Sequence, residues 1–258
     1  MLGEGTTAEV HEIAVNDVKV AVKIFKYKYG ENAQFEIGVL RKLKHKHVNQ
    51  LLSAEMQKSA QKLFPGSIVM ALELCEPVNK YMNASRCLAK WPVELASAIE
   101  YMHSRGMMHC DLKPDNVFIT SNDCVQLGDF GLACDSPCLS QSCQTPPYAP
   151  PEACVRGRIV SFPADVWAFM VTCLELVSNV YVFQNKERGA ALEHHVSEPI
   201  RDKEAFFGRI AAPECLKVIA SLVFRPEEER PSMEEVAAFL DAKLSAIGLY
   251  ENIFVDDF

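Results

Sequence analysis

The sequence predicts an α+β fold in two lobes, a small N-terminal antiparallel sheet with one helix and a larger, mainly helical part. Alternating apolar residues up to Phe25 indicate paired strands near the start of the chain. A continuous apolar strand at 67–75 is then broken by Pro77 and Asn79. The 258 residues are enough for one large domain or two small domains that share a cleft, and we predict a single domain. Its parts are an N-lobe at about 1–73, a hinge at about 73–79, a C-lobe at about 80–246 and a short acidic tail at 247–258.

The first lobe opens with two closely spaced glycines. Gly3 and Gly5 allow backbone amides to approach a phosphate closely. A plain hairpin turn is the better explanation when these glycines are considered alone. The next strand, Val18–Phe25, alternates with one face buried, and it carries Lys19 and Lys23 on the same face.

Residues 33–44 are predicted to form a helix whose inward stripe contains an acid. Glu36 shares the helical spacing of Leu40 and Leu43. A carboxylate on that stripe needs a cation, and Lys23 on the preceding strand is the obvious candidate. The alternative is an exposed Glu36 at the edge of the helix.

Residues 107–133 concentrate polar side chains among apolar, strand-like residues. Charges are rarely buried without a partner or a metal. A hairpin of two short apolar strands would bring Asp111, Asn116 and Asp129 toward one point, with Lys113 beside them. Since magnesium prefers carboxylate and amide oxygens, this stretch predicts a site for magnesium and proton transfer.

The second lobe is predicted from helix patterns and one proline-rich segment. Residues 92–104 have helical apolar spacing, and 145–152 carries four prolines, which indicate a rigid platform. Asp165 is predicted to cap an almost wholly apolar helix. Two further helices are predicted, one at 213–224 and one opening at the capping box Ser232–Glu235.

Composition and charge limit the kinds of partner that the protein can bind and the cellular compartment in which it acts. The net charge of −8 argues against a nucleic-acid binder, and the longest apolar stretch, at about 166–177, is too short to span a bilayer. Ten irregularly spaced cysteines without a signal peptide predict reduced thiols in an intracellular, cytoplasmic protein. The alternatives are the nucleus and, for a viral chain, the host cell. Four cysteines crowd one loop without a C-x-x-C pair, which argues against zinc there: Cys134, Cys138, Cys143 and Cys154.

Eight motifs follow one another in a consistent order and at workable spacing. In this order they resemble the eukaryotic protein kinase family, serine/threonine type. The resemblance implies a bilobal protein-kinase-like fold, ATP and Mg²⁺ as cofactors, and protein substrates with Ser or Thr acceptors. The motifs are the glycine-rich loop Gly3–Val10, Lys23, Glu36, the catalytic loop His109–Asn116, the triplet Asp129–Gly131, the closing motif Pro150–Glu152, Asp165 and Arg230.

The resemblance also implies a role for each site residue. Asp111, Lys113 and Lys23 would be catalytic, and Asn116 and Asp129 would bind magnesium. Thr145 would contact Asp111 and Lys113, and Glu152 would form a buried ion pair with Arg230. The implied nucleotide-binding residues are Leu2, Gly3, Glu4, Gly5, Thr6, Thr7, Ala8, Glu9, Val10, Ala21, Lys23, Glu36, Leu72, Glu73, Cys75 and Phe118.

Four positions depart from the family pattern. Thr7 and Ala8 replace the usual aromatic tip and third glycine of the phosphate loop, and Pro150 stands where alanine is usual. Cys110 replaces the catalytic-loop arginine that grips a phosphorylated activation loop in relatives. We therefore expect activity that does not require phosphorylation of that loop at Ser136, Ser140 or Ser142.

Two other function classes compete with a protein kinase. A nucleotide-binding pseudokinase or scaffold would normally have lost one of Lys23, Asp111, Asn116 or Asp129, and all four are present. A small-molecule phosphotransferase on a related fold would lack the platform that the closing motif builds. An assay for transfer of labelled phosphate to a Ser/Thr peptide library distinguishes a protein kinase from these two other classes.

Overall fold

A four-stranded antiparallel sheet forms the first part of the computed structural model, which describes residues 1–78, 90–139, 145–154, 157–183, 193–194, 196–212 and 214–246. The strand order is β1-β2-β3-β4. In the register, Lys23 lies between Val10 and Met70, and Ala21 lies beside Leu72. The strands are β1 (Gly3–Glu4), β2 (Ala8–Val15), β3 (Val18–Phe25) and β4 (Ile68–Glu73).

Two helices pack on this sheet. Helix α1 (Gly30–Lys42) buries Glu36 with its apolar residues, so the prediction of an inward Glu36 is confirmed. Helix α2 (Ala54–Leu63) has no counterpart among the predictions. Its N-cap, Ser53, accepts a hydrogen bond from the Met56 N–H at 3.3 Å. Gln57 on α2 bonds both main-chain groups of Ala71 on β4 (2.9 and 2.6 Å), which occupies the free edge of that strand.

The remaining strands are short and form small antiparallel sheets after the four-stranded sheet. Strand β5 (Glu76–Pro77) lies within the predicted break and pairs with β7 (Val117–Ile119), which pairs with β8 (Val125–Leu127). The β7–β8 hairpin predicted within residues 107–133 is therefore present. The other pairs are β6 (Met107–Met108) with β9 (Cys134–Asp135), and β10 (Cys138–Leu139) with β11 (Ile159–Val160).

The second part is built mainly from helices around a nearly apolar central one, α4 (Phe162–Ser178). The predicted helices at 92–104 and 213–224 are found. The capping box is confirmed, because the Ser232 N–H donates to Glu235 Oε2 (2.8 Å) and the Glu235 N–H donates to Ser232 Oγ (3.2 Å). The helices are α3 (Lys90–His103), α4 (Phe162–Ser178), α5 (Glu198–Arg201), α6 (Lys203–Gly208), α7 (Glu214–Val223) and α8 (Met233–Ala246).

The prediction that Asp165 caps the apolar helix is wrong. Helix α4 begins three residues earlier, with Ser161 at the N-cap position and Pro163 in the first turn. Proline is favoured there because its missing N–H would have no helical partner. Asp165 therefore lies inside the first turn, fully buried, and its carboxylate is directed at another segment.

One large core joins α1 and the β7–β8 hairpin to α3, α4, α7 and α8. It contains Phe130, Trp167 and Phe224 fully buried. The bilobal fold predicted from the sequence is thus the observed architecture, and its core runs beneath the residues of the candidate site. Among the described residues, no helix is long and apolar enough to cross a membrane. The acidic tail at 247–258, Asn79 and Cys143 lie outside the described residues.

Candidate active site

A largely buried lysine on β3 joins the two lobes. Lys23 Nζ donates to both carboxylate oxygens of Glu36 on α1 at 2.8 Å and to Asp129 Oδ1 at 3.0 Å. Only 12% of the Lys23 side chain and 4% of the Glu36 side chain are exposed. Lys19, on the same face of the strand, instead pairs with Glu12 at 2.7 Å, with 74% of its side chain exposed. The predicted partnership of Lys23 with Glu36 is confirmed, and Lys19 is a solvated surface charge.

The charges of this cluster stabilise one another. Burial lowers the pKa of Lys23, but Asp129 and Glu36 outweigh burial and raise it overall. Burial would raise the pKa of Asp129, and Lys23 more than reverses that effect. Burial raises the pKa of Glu36, a cost that the ammonium of Lys23 offsets in part. Lys23 and Asp129 are therefore both charged at neutral pH.

A second network surrounds Asp111. Lys113 Nζ donates to Asp111 Oδ2 at 2.7 Å and to Thr145 Oγ1 at 2.9 Å. The Thr145 hydroxyl in turn donates to Asp111 Oδ1 at 2.7 Å, and its N–H donates to the same oxygen at 3.2 Å. Burial would raise the pKa of Asp111, but these donors lower it overall. The predicted contacts of Thr145 are present, and Lys113, together with Thr145, keeps Asp111 ionised.

Asn116 is oriented by Asp111. Its Nδ2 donates to the Asp111 main-chain oxygen at 2.7 Å and to Asp111 Oδ2 at 3.1 Å. With the nitrogen turned toward Asp111, the amide oxygen points away from it. Asp129 adds a carboxylate that is 48% exposed. An amide oxygen and an open carboxylate are the hard donors that Mg²⁺ prefers, so these residues fit that ion.

The main chain before Asp111 is held by a buried acid. Asp165 accepts hydrogen bonds from the His109 N–H (2.7 Å), the Cys110 N–H (3.0 Å) and His103 Nε2 (3.1 Å). Cys110 has a φ of 65°, a left-handed conformation that is uncommon for cysteine. These bonds fix the strained turn that presents Asp111. The acid in the first turn of an almost wholly apolar helix was the signal for this role.

The histidine of the catalytic loop is a second residue that sequence reasoning left without a function. The His109 ring lies at 0% exposure, with Nε2 3.0 Å from the Gly128 carbonyl oxygen. The Asp111 N–H donates to His109 Nδ1 at 3.2 Å. These partners require a proton on Nε2 and a lone pair on Nδ1. His109 therefore ties the chain before Asp129 to the chain at Asp111.

The glycine-rich turn between β1 and β2 lies open at the other side of the cleft. The Gly5 N–H donates to the Ala8 oxygen at 2.8 Å, and Lys26 Nζ donates to the Gly5 oxygen at 3.0 Å and to Glu4 Oε1 at 2.9 Å. Ala8 is buried, and the residues before it up to Thr6 are exposed. The predicted nucleotide-binding residues Leu2, Gly3, Glu4, Gly5, Thr6, Thr7, Ala8, Glu9 and Val10 form this turn and its flanking strands.

A hydrogen-bonded cluster lies behind the segment after β4. Gln126 Nε2 donates to Glu73 Oε2 at 2.7 Å, and Cys75 Sγ donates to Gln126 Oε1 at 3.2 Å. Asn49 Nδ2 donates to that same oxygen at 2.8 Å. Burial raises the pKa of Cys75 to about 12, so this thiol stays protonated. Asn49 and Gln126 were not predicted; Gln126 is an amide between the apolar residues Val125 and Leu127, whereas Asn49 lies in a polar stretch and gives no such signal.

The remaining predicted nucleotide-binding residues belong to neighbouring strands. Ala21 on β3 and Leu72 on β4 are partners in the register. Phe118 on β7 is half-buried and faces Gly128, where an added Cβ would lie 2.8 Å from the ring. That glycine allows the chain leading to Asp129 to pass close to Phe118.

The closing motif is anchored by a buried ion pair. Arg230 donates to both oxygens of Glu152, with Nη2 2.8 Å from Oε2. Its Nε also donates to the Arg225 carbonyl oxygen at 3.0 Å. The predicted pairing of Glu152 with Arg230 is confirmed, and it fixes the platform beside Thr145.

The comparisons with known proteins agree with this geometry. The family model described as protein kinase domain matches residues 1–239. Serine/threonine-protein kinase STK11 of Homo sapiens is 31% identical over 209 residues, covering 71% of this chain and 47% of the relative. CBL-interacting protein kinase 15 of Oryza sativa subsp. japonica is 32% identical over 200 residues, covering 71% of this chain and 46% of the relative. The chain thus spans about half the length of the curated relatives that it matches.

Proposed function

Because the chain belongs to the protein kinase family, we propose that it transfers the γ-phosphate of ATP to serine and threonine hydroxyls of protein substrates. The observation that carries this proposal is the network in which Lys113 and Thr145 both contact the ionised Asp111. An ionised carboxylate beside a cation meets the two needs of the reaction, which are proton acceptance and charge neutralisation. The relative from Homo sapiens is named as a serine/threonine-protein kinase, which supports the substrate class.

In the proposed reaction, the acceptor hydroxyl attacks the γ-phosphorus as the bond to ADP breaks. Asp111 orients that hydroxyl and accepts its proton. Lys113 lies beside the carboxylate, at 2.7 Å, and would neutralise charge on the transferred group. Thr145 positions both side chains through its hydroxyl. Catalysis by these residues is positioning and electrostatics, with no covalent intermediate.

The nucleotide would occupy the cleft between the glycine-rich turn and the catalytic loop. Lys23, fixed by Glu36, would bind the α- and β-phosphates, and the turn from Gly3 to Val10 would cover them. Backbone groups of Glu73 and Cys75 would pair with adenine, and Leu72, Ala21 and Phe118 would border its ring. The side-chain cluster behind Glu73 supports this assignment, because it holds that backbone in place.

Members of this family use Mg²⁺ with ATP. In this chain Asn116 and Asp129 would hold the ion, which neutralises phosphate charge when bound. The Nδ2 bonds of Asn116 to Asp111 turn its amide oxygen away from that residue. Asp129 supplies the exposed carboxylate. Its Oδ1 also accepts a hydrogen bond from Lys23 Nζ.

The test is transfer of labelled phosphate from ATP and Mg²⁺ to a library of Ser, Thr and Tyr peptides. We expect transfer to Ser and Thr peptides that is lost in Asp111→Asn. Lys23→Met should lose activity, whereas Lys19→Met, on the same strand face but exposed, should retain it. Nucleotide binding without transfer would refute the proposal in favour of a pseudokinase, and transfer only to small molecules would refute it in favour of that class.

We further propose that activity does not require phosphorylation of the loop after Gly131. Cys110 occupies the arginine position before Asp111, and a buried thiol has no charge with which to bind a phosphate. Of the three candidate serines, Ser136 lies among the described residues, and Ser140 and Ser142 lie outside them. Phosphatase treatment should leave the rate unchanged. A large loss that is restored by rephosphorylating the loop would refute this proposal.

Location is a separate proposal. The chain is expected to act inside the cell, in the cytoplasm or nucleus, or in the host cell if it is viral. The abundance of cysteines at irregular spacing supports a reducing compartment. Microscopy of a fluorescent fusion tests this, and secretion into the medium would contradict it.

A further inference from the structure

Three cysteine thiols from separate segments meet beside the catalytic loop. Cys110 Sγ lies 3.3 Å from Cys134 Sγ and 4.0 Å from Cys138 Sγ. All three sulfur atoms lie within 4.8 Å of one another. The first comes from the turn before Asp111, and the others come from strands β9 and β10. Convergence of three thiols therefore depends on the fold and not on a local motif.

We propose that Cys110, Cys134 and Cys138 bind a zinc ion. A tetrahedral zinc–thiolate site with bonds of about 2.3 Å has sulfur–sulfur edges of about 3.8 Å. The observed separations, from 3.3 Å to at most 4.8 Å, bracket that edge. A disulfide between two of the thiols would need a sulfur–sulfur distance of about 2.05 Å and would leave the third cysteine outside the bond. Three mutually close sulfurs fit a soft metal better.

Strand pairing of the backbone brings the thiols together. Antiparallel pairing of β6 with β9 places Cys134 opposite Met108, two residues before Cys110. Pairing of β10 with β11 places Cys138 opposite Val160. Cys134 and Cys138 are separated by three residues, a spacing common among zinc ligands. The ligands are thus preorganised, which lowers the entropy cost of binding.

The buried acid of α4 holds the third ligand. The Cys110 N–H donates to Asp165 Oδ1 at 3.0 Å, which fixes the left-handed conformation at Cys110. The surroundings are otherwise apolar, with Met108, Val160 and Ala164 fully buried beside Cys110. Three ligand thiols bind zinc as thiolates, and a partly buried, largely apolar site that must hold such charges needs a compensating cation. Zinc would supply that cation.

The consequence for activity rests on the proposed function, whereas the metal site itself does not. The ion would join the turn before Asp111 to two strands of the segment after Gly131. In relatives the arginine at the position of Cys110 makes that connection through a phosphate. A zinc ion would make it here without phosphorylation, and chelation should therefore lower the rate of phosphate transfer.

The test measures metal in the tag-free full chain, purified under reductant. We expect about one zinc per chain by mass spectrometry of the metal content, and a thiolate-to-metal charge-transfer band when Co²⁺ replaces zinc. Removing one of three thiolate ligands should weaken zinc binding at least about 100-fold in Cys138→Ser. Cys138 is half-buried on a short strand, so circular dichroism can verify that the variant folds. Cys110→Ala provides a second, independent ligand removal.

Cys124→Ser is the matched control, because Cys124 lies in the β7–β8 turn and donates to the Asn122 oxygen. It should keep the zinc and the cobalt band. Metal-free chain with no cobalt band would overturn the proposal, as would a disulfide among the three cysteines in place of metal. Because zinc is measured without ATP, a chain that holds zinc but transfers no phosphate would refute the proposed activity alone.

Discussion

Replacing Asp165 by asparagine should destabilise the chain out of proportion to the size of the change. The carboxylate is fully buried and accepts three hydrogen bonds at 2.7, 3.0 and 3.1 Å. Asparagine keeps one oxygen for one backbone N–H and turns an NH₂ group toward the other. Loss of the charge weakens the bonds by about 1 kcal/mol each, and a buried donor without an acceptor costs about 1–3 kcal/mol.

These contributions predict a loss of about 4–6 kcal/mol in the free energy of unfolding, which corresponds to roughly 8–24 °C in the melting temperature for a chain of this size. Thermal and urea unfolding followed by circular dichroism measure it. Asp17→Asn is the matched control, since Asp17 is exposed in the β2–β3 turn and the change in charge is the same. Equal midpoints for the two variants would refute the role of Asp165.

The same variant should affect catalysis in a specific way. Asp165 fixes the backbone of Cys110, whose left-handed conformation sets the direction of Asp111. Relaxation of that turn should lower kcat at least about tenfold while the KM for ATP changes less than about twofold, because the nucleotide contacts lie elsewhere. A rise in KM with unchanged kcat would show that Asp165 acts on nucleotide binding instead.

Three further predictions concern other buried groups. His47 is buried with a pKa lowered to about 4 from 6.5, so it stays neutral when folded and takes up a proton on unfolding below about pH 6.5. Stability should therefore fall as the pH drops from 6.5 toward 4, by about 1–2 kcal/mol at pH 5 after allowance for solvent screening. His47→Asn keeps a donor and should flatten this slope in urea titrations at several pH values; an unchanged slope would refute it. Glu152→Gln should cost about 3 kcal/mol, because the buried Arg230 loses its counterion, whereas Arg230→Lys should cost less. Equal urea midpoints for Glu152→Gln and Arg230→Lys would show that loss of the counterion does not cause the destabilisation. Thr145→Val should lower kcat roughly 10-fold to 100-fold through loss of a bond to a charged group. It should also move the acid limb of the pH–kcat profile to higher pH, because the Thr145 hydroxyl, together with Lys113, lowers the pKa of Asp111. An acid limb at the same pH would show that the Thr145 hydroxyl does not affect the pKa of Asp111.

Elements with strong local signals could be predicted from the sequence. Alternation along Val18–Phe25 gave the bounds of β3, and the box at Ser232 gave the start of α8. The pairing of Lys23 with Glu36 also followed from spacing, since an inward acid needs a cation. In these cases the determining contacts are local or are forced by one unusual buried charge.

Elements that depend on distant contacts could not be predicted. Helix α2 buries only Ala60 among its residues, so its apolar stripe is weak, and Gln57 helps to hold it against β4. The role of Asp165 depends on a segment 55 residues earlier in the chain. The thiol cluster likewise joins Cys110 to residues 24 and 28 positions later. Spacing within one loop argued against zinc because it could not include a ligand from another segment.

The charges around Lys23 have a consequence for the order in which ligands bind. The networks around Lys23 and Asp111 together hold two ammonium groups, those of Lys23 and Lys113, and three carboxylates, those of Glu36, Asp111 and Asp129. Two positive and three negative charges leave these networks with a net charge of −1, which repels a free nucleotide polyanion. A divalent cation reverses that sign. Metal and nucleotide should therefore bind cooperatively, each raising the affinity for the other by the same factor.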